Sequence, residues 1–230
     1  MENFKVAAMD FVRFARFQRV QGDVGKHMLL YLLMGLAITL LVGIGRRWDH
    51  PESYWLLRTG LGSLIYVFGM SAFIYAVVAP LRPKNWRYLS VLLMVTMTAL
   101  PALLYAIPVE RFMPAVLAAE LNVLALIVVA TWRMALYRHF LERVGGLSGL
   151  ALWVALLLPA TLIVCLLSLI GLMERIASSM GGVDEIQRAV VGEYLMLIVG
   201  GAAWIAIVPL LGLYGFAIFR AWRTKNTPQR

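Results

Sequence analysis

Long apolar runs separated by short clusters of charge organise this sequence. Cutting at the charges leaves six runs, at 27–45, 59–81, 88–109, 112–132, 144–173 and 194–219. Each is near the length of about 20 residues that a helix needs to cross a hydrocarbon core roughly 30 Å thick. None alternates with period 2, and each is longer than a barrel strand, so helices are the only way to pair their backbone in lipid. The pattern predicts an all-α integral membrane protein, a bundle of six transmembrane helices. An amphipathic segment at 1–26 precedes the bundle and a basic tail at 220–230 follows it. No cleaved signal peptide is expected, because the first apolar run has no small-residue cleavage site behind it.

Residues 1–20 follow a different rule. At 100° per residue, Phe4, Ala7, Ala8, Phe11, Phe14 and Ala15 share one face, while Lys5, Arg13, Arg16 and Arg19 fall largely on the other. Such a helix suits the inner leaflet: anionic headgroups attract Arg13, Arg16 and Arg19, and Phe4, Phe11 and Phe14 enter the acyl boundary. The competing expectation is a foot packed beneath the bundle. Both keep the helix out of the bilayer core.

Composition agrees with the pattern. Hydrophobic residues make up 62% of the chain and charged residues 14%. Soluble domains are about half apolar and a quarter charged. The net charge of +9 comes from the placement of Lys and Arg. With the N-terminus inside, fifteen of the 21 fall on the inner side and six on the outer: Arg46, Arg47, Arg58, Arg111, Arg175 and Arg188. That asymmetry places both termini in the cytoplasm and fits a plasma membrane of bacterial type. The charge is a consequence of topology, and no nucleic-acid partner is expected. The expected partners are the lipid bilayer, its anionic headgroups, and other membrane subunits or further copies of the chain.

Candidate chemistry is concentrated between Tyr88 and Arg133, a stretch that holds Pro101, Tyr105, Pro108, Glu120, Asn122 and Arg133. Glu120 lies inside the fourth run, about 12 Å from one end and 18 Å from the other at 1.5 Å per residue. An acid that deep costs on the order of 3 kcal/mol and ordinarily faces a bundle interior or water. Glu120 looks toward the face of Thr131, and these two form the candidate midplane polar site. Asn122, about 200° around the helix, instead joins Ala115, Ala118 and Ala119 on a small, weakly polar packing face. Gly35, Thr39 and Gly43 in the first run and Ala202 and Ala206 in the last, beside Gly200, Gly201 and Ala203, form similar faces that allow close helix approach.

Pro101, Pro159 and Pro209 lie at similar depths in three runs. Each removes one backbone hydrogen bond and bends its helix, leaving carbonyls for neighbours or hydroxyls to satisfy, with Thr96 and Thr98 placed to do so near Pro101. The three kinks suggest a bulge or cavity at the bundle centre.

Reactive motifs are few. Gly146-Leu147-Ser148-Gly149 resembles the Gly-x-Ser-Gly of rhomboid intramembrane proteases, which pair the serine with a histidine on the last span. No histidine occurs between Tyr194 and Phe219, so the resemblance fails at the partner, and small residues easing helix entry account for it better. His50 with two nearby acids is too thin for a metal site, and Cys165 is alone, without a redox pair. HExxH, phosphate-loop and dinucleotide fingerprints are missing, so neither an enzyme nor a cofactor or metal is expected. Two functions fit: an accessory or scaffold subunit that acts by helix packing and assembly, or a small proton- or ion-linked transporter or channel using Glu120.

Overall fold

The computed structural model describes residues 2–45, 61–170 and 185–223. His50, Gly181, Gly182 and Asp184, and the end of the basic tail lie outside the described residues. So do the side chains of Tyr105, Ala115 and Ala119.

All regular elements among the described residues are helical. They are α1 (Glu2–Ala15), α2 (Met28–Gly45), α3 (Leu61–Val78, closing in a 3-10 turn at Ala79–Leu81), α4 (Tyr88–Met97), 3-10 segments at Leu100–Ala106 and Val109–Arg111, α5 (Ala115–Arg143), α6 (Gly149–Leu169) and α7 (Glu185–Arg223). Among the described residues four segments are long and apolar enough to cross a membrane: Leu61–Leu81, Glu120–Arg143, Gly149–Leu169 and Leu197–Arg223. Met28–Ile44 and Tyr88–Leu104 are apolar but shorter.

The chain divides into two compact units, Met1–Ala72 with Arg87–His139, and Phe73–Trp86 with Phe140–Arg230. In the first, α1 packs on α2, α4 and the 3-10 segment that follows α4. Gly35 lets α2 and α4 approach closely, since a Cβ there would stand 2.5 Å from the Thr96 side chain and 3.3 Å from the Phe11 ring. The first run therefore spends part of its small-residue stripe inside the unit: Thr39 is buried with its hydroxyl donating to the Gly35 carbonyl at 2.8 Å. Val91 to Met97 are buried without a break, as expected of a helix that is apolar all round.

The third run was expected to be one bent helix from 88 to 109. Instead α-helix gives way to 3-10 helix ahead of Pro101. Ala99 N–H donates to the Thr96 carbonyl, three residues back, and the Thr98 hydroxyl supplies the donor for the Val95 carbonyl at 2.7 Å. The ring that cannot donate at 101 is accommodated by a tighter helix. Pro159 and Pro209, by contrast, lie inside continuous α6 and α7.

In the second unit α6 and α7 pair over a cluster of Val154, Leu158 and Leu210, with Val77, Leu162, Ala206 and Tyr214 against it. The glycine-rich stretch before α6 is its entry turn. Gly146 has φ +61 beside the Lys84 stem, and Ser148 opens the helix in extended backbone with no side-chain cap.

Candidate functional site

Glu120 sits on α5, whose two faces are sharply different. One face carries buried Ala118, Val129, Leu136 and Tyr137. The other carries Leu117, Glu120, Leu124, Ile127, Val128 and Thr131, all exposed. Spacings of three and four along 117, 120, 124, 127 and 131 make this a single outward stripe. Glu120 and Thr131 thus share a face, and that face is exposed. Glu120 lies in the run from 112 to 132, and the helix that holds it, α5, begins at Ala115 and continues to Arg143. The carboxylate stands about 7.5 Å along the axis from the start of the helix. Asn122 is half-buried, and Ala118 is 1% exposed.

The small-residue face of α7 is divided. Gly200 and Ala203 are buried and Ala206 packs in the α6 pair, while Ala202 is exposed. Gly43 is buried with Thr39 on α2.

Two residues expected at the lipid surface are elsewhere. Phe11 is 1% exposed, stacked on Tyr31 at 6.4 Å, and Phe14 is 7% exposed. Burial against protein gives their rings the same escape from water that lipid would, and α2 and α4 supply it. Phe4 remains outward with Met9 and Val12, and Arg16 and Arg19 are exposed. Arg13 turns back onto α1 to bond Asp10 at 3.0 Å.

That contact belongs to a polar node which sequence reasoning missed. Asp10 is fully buried, and its carboxylate accepts from Arg13 Nη1 and Gln21 N–H at 3.0 Å each, Gly22 N–H at 2.8 Å and Tyr31 Oη at 2.6 Å. Burial alone would raise the carboxyl pKa. The bonds from Gln21, Tyr31, Gly22 and Arg13 outweigh it and hold the group below its ordinary range. A Cβ at Gly22 would collide with the Tyr31 hydroxyl and the Asp10 carboxylate, so only glycine fits there. A signal was present, since Asp10 is an acid within about 60° of Ala7 and Phe14 on the apolar face. Its partners at 21, 22 and 31 carried none.

The segment closing α1 explains how the chain reaches that node. Phe17 adopts φ +61, Gln18 N–H donates to the Arg13 carbonyl at 2.8 Å and Phe17 N–H to Phe14 at 2.9 Å. These two bonds form a Schellman cap with phenylalanine where glycine is usual. The Phe17 ring meets His139 edge-on at 6.0 Å, and the Trp132 indole donates to the Ala15 carbonyl at 2.8 Å.

The fold and these sites define a helical protein with, among the described residues, four helices suited to crossing a membrane and an exposed carboxylate on one of them. No protein-family model, curated protein or solved structure matches the chain.

Proposed function

We propose that this chain is an assembly subunit of a plasma-membrane complex, associating with other transmembrane helices through the outward stripe of α5. The observation that carries this reading is the exposure of Glu120 and Thr131 among Leu117, Leu124, Ile127 and Val128. Lipid tails satisfy leucine and isoleucine but offer nothing to a carboxyl or a hydroxyl. A carboxyl inside hydrocarbon costs on the order of 3 kcal/mol. A hydrogen-bonding side chain on an opposing helix removes much of that cost. Where this chain is the only protein present, the opposing helix is α5 of a second copy. The Glu120 and Thr131 side chains of the two copies can then share hydrogen bonds.

The topology that goes with this reading is six crossings with both termini cytoplasmic. Two features support it besides the four long helices and the asymmetry of Lys and Arg. Met28–Ile44 misses the usual length by a few residues only. The segment from Tyr88 to Ala106 combines ten α-helical and seven 3-10 residues. At about 1.5 and 2.0 Å rise respectively, their summed rise is about 29 Å, nearly the hydrocarbon thickness. In this arrangement α1 lies at the inner surface with Phe4, Met9 and Val12 toward lipid and Arg16 and Arg19 toward headgroups.

Energy transfer between two fluorescently labelled populations, co-reconstituted in vesicles, tests the association. Glu120→Gln keeps the hydrogen bonding and should preserve transfer. Glu120→Leu should lower it, at a cost of about 1 kcal/mol, the size of a hydrogen bond between membrane helices. Equal transfer in wild type and Glu120→Leu would overturn the reading. Proton flux abolished by Glu120→Gln with association intact would assign the same residue to ion movement instead.

A further inference from the structure

The second unit gathers cations and aromatic rings around the C-terminal end of α3, and the α5 reading uses none of them. Three ring donors close that end. Trp86 Nε1 donates to the Tyr75 carbonyl at 3.2 Å, Tyr214 Oη to Val77 at 2.6 Å, and Trp222 Nε1 to Pro80 at 3.4 Å. The last carbonyls of an α-helix have no partner within it, and these side chains supply one. Arg82 follows directly. It sits in left-handed backbone at φ +55, its N–H donates to the Ala79 carbonyl, and its guanidinium lies 3.6 Å from the centroid of the Trp222 ring.

We propose that this collar binds the phosphate of an anionic phospholipid, with Arg82 as the principal ligand and Lys84 as the second cation. Stacking on the indole occupies the flat face of the guanidinium and leaves its N–H edge, the fork that matches a phosphate, directed away from the ring. A glycine would close the helix at no steric cost, since left-handed backbone costs other residues about 1 kcal/mol or more. Arginine brings to that position a charge that glycine lacks.

Nearby charge adds to the case. Arg82, Lys84, Arg143, Arg220 and Arg223 belong to this unit, and Glu142 is its one acid with a described side chain. Arg82 and Lys84 are both exposed. Lys84 is fixed at its backbone, its N–H donating to the Gly145 carbonyl at 2.7 Å, and its stem lies along Gly146.

A lipid suits the site better than a free anion because the cations adjoin an apolar floor. Phe216, Phe219 and Trp222 are 55%, 61% and 52% exposed on the last turns of α7. The collar also ends two segments long enough to cross a membrane, Leu61–Leu81 and Leu197–Arg223. Headgroups lie where such helices end, and indole rings favour that depth. The proposal does not depend on association through α5.

The test uses the full chain in vesicles of phosphatidylcholine mixed with phosphatidylglycerol, reading the ratio of the two lipids retained per protein after extraction into mild detergent. Wild type should retain phosphatidylglycerol in excess. Arg82→Ala should cut that excess about fivefold, the effect of one cation at an anionic surface. Arg82→Lys keeps the charge but loses the stacked fork, and should fall nearly as far. Arg19→Ala, beyond the end of α1, removes a headgroup-facing cation that has no stacked fork, and should cut the excess far less than Arg82→Ala. Should Arg82→Ala fail to fold, Arg82→Lys carries the test with the charge kept. An unchanged ratio in Arg82→Lys together with an equal loss in Arg19→Ala would reduce the effect to diffuse charge and overturn the site. Displacement of the retained lipid by millimolar inorganic phosphate would reassign it to a free anion and overturn the lipid. Equal retention of both lipids by wild type would leave the collar as a mechanical clip between α3 and α7.

Discussion

At the scale of single residues the strongest statement concerns Asp10. A carboxylate with four donors and no exposure is stabilised in its charged form, and removing it strands the Tyr31 hydroxyl and two amides. Asp10→Ala should therefore cost the closed state of residues 2–22 about 3 kcal/mol, read as faster hydrogen exchange there. Gly22→Ala should act on the same segment with about 2 kcal/mol of overpacking. The pH dependence has a definite sign. Because the folded carboxyl titrates below its ordinary value, the stabilisation is complete above the unfolded pKa of about 3.9 and is lost as pH falls through the lowered folded value. Exchange protection of residues 16–22 should be level from pH 7 to about 5, decline below about 4, and lose that decline in Asp10→Asn. A decline beginning near neutrality would point to a different group.

At the scale of elements, Pro101 decides a shape that hydropathy alone leaves open. Proline removes one donor, and a simple kink would satisfy the sequence. The structure shows instead a switch to 3-10 helix from Leu100 to Ala106, with Thr98 serving the Val95 carbonyl. The switch lengthens the segment, because each 3-10 residue advances about 0.5 Å further than an α-helical one. Pro101→Ala should let α4 continue and shorten the segment by about 3.5 Å over those seven residues. Spin-label distances between sites at 90 and 107 should report the contraction, and an unchanged distance would show that tertiary packing, not the proline, holds the 3-10 form. Thr98→Val should cost about 1 kcal/mol through the unsatisfied Val95 carbonyl.

At the scale of the whole molecule, the proposed topology is the quantity to measure. Single cysteines at 50 and 180 should label from outside and at 85 and 139 from inside, in a background where buried Cys165 is replaced by alanine. An odd number of crossings would overturn the six-span arrangement. The four long helices would stand in that case, since they follow from length and composition. The same hydropathy that makes these helices legible conceals their neighbours. Lipid and protein interior are equally apolar, so a leucine facing either reads the same. Phe11 and Phe14 show the effect, being spaced for a lipid surface and buried against α2 and α4 instead. Glu120 shows the converse: its residue type suggests an inward site, and the faces of α5 turn it outward.

The sequence by itself determined the class, because long apolar runs in a chain with few charges admit only helices in lipid. It also determined the basic amphipathic character of α1 and the need for an irregularity near Pro101. Those properties rest on interactions within a few residues, where spacing is geometry. Tertiary structure decided the rest: the meeting of Asp10 with Gly22 and Tyr31, the fit of Thr96 against Gly35, and the stacking of Arg82 on Trp222. In each pair the residues are far apart in the chain and individually ordinary. Only the fold brings a carboxylate to its donors or a guanidinium to its ring, and no local period records which will meet.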